Sequence, residues 1–334
     1  MSRCVFALFV VFLAVCAANS SVVLENGRLL AASMNYPAQI AMFSIGHNAT
    51  VKMLWNVSLS TNSSAKDTLF DACYFAFDTA NQIVYVPTEK YLQGIDAHNG
   101  TRSECPNDKY AFFTTLDYDP TMRTLYGVCT GNRRFNWCEL ELENKSIDYR
   151  RGNVVFRFDL PDSIELSPTN CMGDYIPEES LFFYQTGATV RYAHGLNTSS
   201  GKVIWSGLTN GSCVNYDVIA KRLYAVVPIG DLNDHYALFL VHGDGKEQEK
   251  ILDFPMGFAL ASVGTCAMSR SDRTLFVLMR NYKNDLFHTM PGILFAVDLD
   301  KYKLANYSLP VFENYEMFKF VSHLMYVPDS LWIK

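Results

Sequence analysis

The sequence predicts an all-β chain folded as a single β-propeller of six four-stranded blades, and three observations carry that expectation. Of 334 residues, 19% are charged and 14% aromatic, with 23 Phe and 19 Tyr, a balance that suits pleated, half-buried surfaces. One pattern of turn and strand residues recurs along nearly the whole chain at a spacing of about 50 residues. Between its copies there is no amphipathic helical stretch long enough to cover a parallel sheet, which excludes α/β folds. The 28 Lys and Arg stand against 34 Asp and Glu, for a net charge of −6. No basic block exists to neutralise phosphates, so nucleic acid is not an expected partner.

Residues 1–20 read as a signal peptide. Arg3 supplies the positive charge, Val5 to Val15 an apolar run too short to span a bilayer, and Cys16 to Ser20 the small residues of a cleavage site. Residues 21–334 remain as the propeller domain, with no later apolar run long enough for a membrane span. Eight Asn-x-Ser/Thr sequons begin at Asn48, Asn56, Asn62, Asn99, Asn144, Asn197, Asn210 and Asn306. Chance would give roughly three, so N-glycosylation and a eukaryotic secretory route are expected. The chain is therefore read as secreted, or held in the lumen of a secretory compartment.

Five stretches place a turn residue after a hydrophobic one and resume with a strand. They are Phe77–Asp78 with Ile83–Val86, Tyr118–Asp119 with Thr124–Gly127, Tyr175–Ile176 with Leu181–Phe183, Tyr216–Asp217 with Arg222–Ala225, and Ser269–Asp272 with Thr274–Val277. A second hairpin recurs at Leu92–Gly100, Leu238–Gly245 and Leu294–Asp298. Weaker copies fall at Ile40–Asn48, Cys138–Asn144 and Val190–Gly201. Taking Asn48, Asn99, Asn144, Ser199, Asp244 and Asp300 as equivalent turns gives spacings of 51, 45, 55, 45 and 56. Radial blades protect sheet edges in an all-β chain of this length, and a pair of sandwiches would not share one period.

The segments Ser269 to Val277 and Tyr118–Pro120 to Tyr126, with Gly94–Asp96 running to Asn99–Thr101, resemble the YVTN and quinoprotein-like β-propeller repeats. The resemblance spans nearly all of the chain after the leader. It implies a fold and no activity, because propellers host binding proteins, hydrolases, lactonases and dehydrogenases alike.

Blade one begins with what reads as a second strand, Arg28–Ala32. The C-terminal Phe318–Val327 is expected to pair into it and close the ring, giving six blades. Seven follow instead if Val22–Leu24 is itself an inner strand.

Seven of the nine cysteines remain once Cys4 and Cys16 leave with the leader, an odd number for an oxidising compartment. Cys129 and Cys138 flank one second-to-third strand loop and form the best disulfide pair. Cys73, Cys171, Cys213 and Cys266 take similar places on the inner strands. They read as a small apolar position where blades crowd, with adjacent-blade disulfides as one alternative and a metal or redox cluster as another. No CxxC or Cys/His ligand spacing supports metal.

Asn48, Asn99, Asn144 and Asn197 fall in third-to-fourth strand turns, on the face that also carries the first-to-second strand turns. Glycans there direct attention to the opposite face, although Asn62 and Asn210 would lie on it. Its long loops carry Arg133, Arg134, Phe135 and Trp137, then Asp231, Asp234 and His235, then Tyr282, Asp285 and His288. Aromatics beside Arg, Asn and His are the composition of recognition surfaces, and the same polar residues are also ordinary turn formers. The leading reading is a binding protein for a protein or glycan ligand through this loop face. The alternative is a divalent-cation-dependent hydrolase or lactonase at the channel mouth. There His235 and His288 would act as acid/base groups, and Asp231, Asp234 or Asp285 would orient them or hold Ca2+. No nucleophile elbow, zinc-protease helix, P-loop, dinucleotide fingerprint or Asp-box is present.

Overall fold

The computed structural model describes residues 26–33, 39–46, 51–59, 75–87, 91–106, 112–113, 115–131, 134–142, 152–160, 172–186, 192–208, 211, 213–229, 235–242, 248–260, 265–281, 293–308 and 321–332. They form six small antiparallel sheets.

Blade one combines the two ends of the chain. Its strands, from the inside outward, are β26 (Val321–Pro328), β1 (Gly27–Ser33), β2 (Gln39–Ile45) and β3 (Val51–Ser58). Blade two follows as β4 (Ala76–Asp78), β5 (Ile83–Pro87), β6 (Tyr91–Asp96) and β7 (Arg102–Pro106). Blade three has its inner edge broken into β8 (Phe112–Phe113) and β9 (Asp117–Asp119). Both pair with β10 (Thr124–Gly131), and β11 (Arg134–Leu142) and β12 (Gly152–Asp159) lie outside it. Blades four and five are β13 (Met172–Ile176) to β16 (Lys202–Leu208) through β14 (Leu181–Thr186) and β15 (Tyr192–Asn197), then β17 (Cys213–Asp217), β18 (Arg222–Pro228), β19 (Tyr236–Val241) and β20 (Gln248–Asp253). Blade six repeats the broken edge, with β21 (Phe258–Leu260) and β22 (Cys266–Ser269) on β23 (Thr274–Asn281), followed by β24 (Ile293–Asp298) and β25 (Lys303–Ser308).

A shared turn chemistry explains why the repeat was visible. A residue at the end of a strand is followed, four positions later, by one held at positive φ. In first-to-second strand turns the pairs are Asp78 with Gln82, Asp119 with Arg123, Ile176 with Ser180, Asp217 with Lys221 and Ser269 with Arg273. In third-to-fourth strand turns they are Asp96 with Gly100, Asn197 with Gly201 and Asp298 with Tyr302. Each of the Asp carboxylates accepts the backbone N–H groups two and three residues on, as Asp78 does from Ala80 at 2.9 Å and Asn81 at 3.0 Å. Asp119, Asp217, Asp96 and Asp298 do the same. The side chain supplies the acceptor that a tight turn lacks, so Asp and Asn are selected there. The two turns of one blade are tied together by Ala97 N–H to Gln82 O, Thr198 N–H to Ser180 O and Leu299 N–H to Arg273 O. They therefore share one face, termed here the turn face.

Six apolar cores alternate with the six sheets. Phe43, Phe276 and Tyr326 join blades six and one, and Trp55, Phe77 and Val84 join one and two. Tyr85, Leu116 and Leu125 join two and three. Trp137, Tyr175 and Phe182 join three and four, Leu181 and Tyr216 four and five, and Tyr224 and Leu275 five and six. Each blade thus buries both faces, which accounts for the low charge of the sequence.

The C-terminal strand closes the ring as expected, in register from Gly27 opposite Pro328 to Ala32 opposite His323. Gly27 sits so close to the Tyr326 ring that a Cβ there would force the ring to shift. Beyond the strand, buried Trp332 packs on Phe77 at 5.1 Å, and the Arg28 guanidinium lies 3.5 Å from its ring centroid. Gln82 Nε2 donates to Leu331 O at 3.0 Å, latching blade two to the same tail.

Cys129 and Cys138 are disulfide-bonded within blade three, as expected. A second disulfide, Cys213–Cys266, joins the inner strands of blades five and six. The adjacent-blade alternative therefore holds for this pair, while Cys73 and Cys171 lie outside the described residues.

Candidate functional site

The inner strands surround a central channel with a cavity of about 360 Å³. All six blades line it, mostly with apolar groups such as Phe75, Leu116, Val214, Met268 and Leu324.

Beside Thr79, Ser271 and Ser330, its polar lining comes from one repeat position and one exception, which together carry its charged groups among the described residues. Two residues before the turn position, blades two to six carry Ala76, Asp117, Asp174, Asn215 and Ala267. These are equivalent in register, each standing opposite an aromatic residue of the second strand: Tyr85, Tyr126, Phe183, Tyr224 and Phe276. Blades three to five are thus polar at this level, and blades two and six carry alanine. The exception is Arg270, the first turn residue of blade six, where other blades have Thr79, Pro120, Pro177 and Val218.

Arg270 reaches past blade five. Its Nη2 donates to Asp174 Oδ1 at 2.6 Å and to the Tyr175 carbonyl at 3.1 Å, both on blade four. Asp117, from blade three, accepts the N–H of Tyr118 at 2.9 Å on one oxygen and that of Tyr175 at 2.8 Å on the other. These amides fix its carboxyl before any ligand arrives. Protein surrounds the cluster, yet Arg270 and Asp174 keep 38% and 28% of their side-chain surface accessible within the channel.

Burial, reinforced by the Asp174 charge, pushes the Asp117 carboxyl up to about 7, against the opposing pull of Arg270 and two backbone hydrogen bonds. The Asp174 charge raises Arg270 above its usual range. Two carboxyls and one guanidinium leave this cluster with at most one negative charge, and with none once Asp117 takes a proton.

The inner strands run toward the turn face, so the Asp–Asp–Arg cluster lies in the half of the channel nearest that face. The Cys213–Cys266 disulfide marks the other half. Among the described residues around the turn-face mouth, three apolar side chains are exposed: Met122 at 63%, Ile219 at 59% and Leu331 at 46%. They belong to blades three, five and one, alternate members of the ring.

The loop-face residues fare differently. Trp137 is 2% exposed and packs 4.8 Å from Phe182 and 5.3 Å from Tyr175, so it is a core residue and not a surface one. The reason is that β10 and β11 run on through what reads as a loop, and strand alternation turns this side chain inward. Arg134 and Phe135 are backbone members of β11, paired with Gly131 and Thr130. His235 stands beside β19, where its Nε2 lies 3.2 Å from Asp253 on the outermost strand of blade five, away from the channel. This ties it to the blade edge and not to the channel mouth. Arg133, Asp231, Asp234, Tyr282, Asp285 and His288 lie outside the described residues.

Among the sequons, Asn99 and Asn197 occupy turns of the turn face, as expected, and Asn306 is exposed on β25. Asn56 lies within β3, where its Nδ2 donates to Gln39 Oε1 at 3.1 Å. Asn48, Asn62, Asn144 and Asn210 lie outside the described residues. Among the described residues, no three His, Cys, Asp or Glu side chains are grouped to hold a metal ion. None of the described helices is long and apolar enough to cross a membrane.

No protein-family model matches the chain, and no curated protein matches it. Solved structures do. A chain of a nidogen/laminin complex superposes with a TM-score of 0.54 at 12% identity, over 90% of this chain and 98% of that one. A protein of unknown function from Bacteroides caccae gives 0.55 at 12% identity, over 91% and 99%. The chain is a six-bladed β-propeller. At this level of identity the likeness is one of fold.

Proposed function

We propose that this propeller is a secreted, N-glycosylated recognition protein that binds a protein partner over its turn face, centred on the channel mouth. The observation that carries the reading is the trio Met122, Ile219 and Leu331, exposed on alternate blades at the turn-face ends of the inner strands, around a cavity with a fixed polar cluster. Exposed apolar groups around a concave centre with few polar anchors are the makings of a protein interface. Glycans at Asn99 and Asn197 would sit in third-to-fourth strand turns, outward of the inner turns, and would rim this surface without covering it. The choice of face departs from the sequence expectation because Trp137 and His235 do not present a loop surface. Within the channel the two carboxylates face Arg270, a cation that the chain itself supplies, which favours binding over Ca2+-dependent hydrolysis. The YVTN or quinoprotein-like kinship stays with this reading as a proposal of ancestry.

The test is capture of extracellular proteins by the mature chain, immobilised with and without its glycans. Met122→Lys, Ile219→Lys and Leu331→Lys combined should abolish capture, and Met256→Lys, at an exposed blade-to-blade connection on the other face, should not. Capture lost only in the Met256 variant would overturn the assignment of the face.

A further inference from the structure

We infer that the channel receives a primary ammonium on an apolar stem, the end of a lysine side chain presented by the partner at the turn face. The inference rests on the turn-face reading above.

Three features select this chemistry. Among the described residues, the charged groups lining the cavity are Asp117, Asp174 and Arg270, an excess of one carboxylate. A cation of charge one completes the balance, whereas an anion would add to the excess. The excess charge is also displayed in a fixed geometry, since Asp117 is held by amides from two blades and Asp174 by Arg270. Each carboxylate oxygen carries two lone pairs, and these partners use one on each oxygen of Asp117 and one on Asp174 Oδ1, leaving acceptors for ammonium protons. Finally, the wall beside the cluster is apolar, with Phe77, Leu116 and Met325, and would cover a four-carbon stem that water solvates poorly.

The repeat strengthens the argument. Alanine serves at this level in blades two and six, so nothing in the fold requires acid in blades three and four. A buried carboxylate costs stability unless something compensates it, and the cavity leaves room for that compensation.

The charges facing Asp117 are those of Asp174 and Arg270, and Glu178 in turn faces Arg270. The ammonium would therefore bind the ionised form of Asp117 and compete with its proton. Affinity should fall roughly 25-fold between about pH 7.5 and about pH 5.5, a range across which an unperturbed carboxylate would show almost no change.

The experiment is calorimetric titration of the mature chain with pentylamine, pentanol and pentanoate, and with a peptide bearing one lysine flanked by apolar residues. Pentylamine and the peptide should bind, with affinity falling at low pH, and the alcohol and the acid should bind at least tenfold more weakly. Asp117→Asn, close to isosteric, should remove the pH dependence and most of the affinity, with thermal unfolding as the check that it folds. The pH series on the unmodified chain stands independently of any variant. Equal binding of amine and alcohol, or pH-independent amine binding, would overturn the charge argument. Binding of pentylamine without the peptide would overturn the lysine assignment in favour of a free amine. Capture of a protein partner without amine binding would sink this inference and leave the turn-face reading intact. The Met122→Lys/Ile219→Lys double variant, which leaves the channel lining untouched, should still bind pentylamine.

Discussion

The two disulfides among the described residues close loops of very different length, and this difference makes a quantitative prediction. Cys129–Cys138 spans a sequence separation of 9 and Cys213–Cys266 one of 53, with Cα–Cα distances of 6.1 and 6.0 Å. In the chain-entropy account a crosslink stabilises by restricting the unfolded ensemble, and the effect grows with the logarithm of the loop. The longer loop then contributes about 4 kcal/mol and the shorter about 2.6 kcal/mol at room temperature. Cys213, Cys129 and Cys138 are fully buried, and Cys266 nearly so, so alanine pairs keep the sites apolar and leave cavities of similar size. Double replacement by alanine at each pair, followed by urea unfolding, isolates the loop term. The Cys213/Cys266 variant should lose about 1.5 kcal/mol more than the Cys129/Cys138 variant, a difference of roughly tenfold in the folding equilibrium. Equal losses, or a larger loss for the short loop, would refute the entropic argument. They would show that the local bond in the long β10–β11 hairpin matters more than linking two blades.

Three further predictions follow from named contacts. Trp332→Ala removes a buried ring from the closure between blades one and two and should cost about 3 kcal/mol, read by denaturant unfolding, with faster proteolysis of the C-terminal strand. Gly100→Ala should cost about 1–3 kcal/mol by thermal unfolding, since its φ is +75° and a Cβ would lie 2.9 Å from Val57, as the loss of φ > 0 freedom and a clash combine. The stability of Asp117→Asn relative to the unliganded native chain should rise with pH, on top of a constant loss from the one backbone N–H that the asparagine Nδ2 cannot accept. The native carboxyl keeps its proton to about 7 and the unfolded one releases it near 4, so the wild-type chain loses this contribution between those values while asparagine stays neutral. Urea midpoints at about pH 4 and about pH 7.5 decide it, and a difference that shrinks with rising pH would show the wrong sign.

What the sequence disclosed was the part of the fold set by local chemistry. Asp78, Asp119, Asp217, Asp96 and Asp298 are legible because each accepts amides within three residues of itself. Blade closure was legible because Arg28–Ala32 lacks an inner neighbour and Phe318–Val327 supplies one. The channel cluster escaped the reading because Arg270 and Asp174 are 96 residues apart and meet only across a completed ring. One signal was available. Aligning the repeats on their turn residues shows Asp117, Asp174 and Asn215 in a column that otherwise holds alanine, and Arg270 in a column of Thr, Pro and Val. Trp137 was misplaced for a different reason: in β11 the polar residues Arg134, Asn136 and Glu139 occur inside a strand, so composition marked a loop where pairing continues.

The pairing of β1 with β26 also orders events during synthesis. Blade one is the first to leave the ribosome and the last to be completed, because its inner strand is encoded at residues 321–328. Until then β1 presents an unpaired, apolar strand edge, the template on which wrong pairings form. The nascent chain must carry that edge through the assembly of five other blades. Maturation thus depends on protecting residues 27–33 while the five intervening blades are made, and deletion of residues 321–328 should expose the same edge permanently.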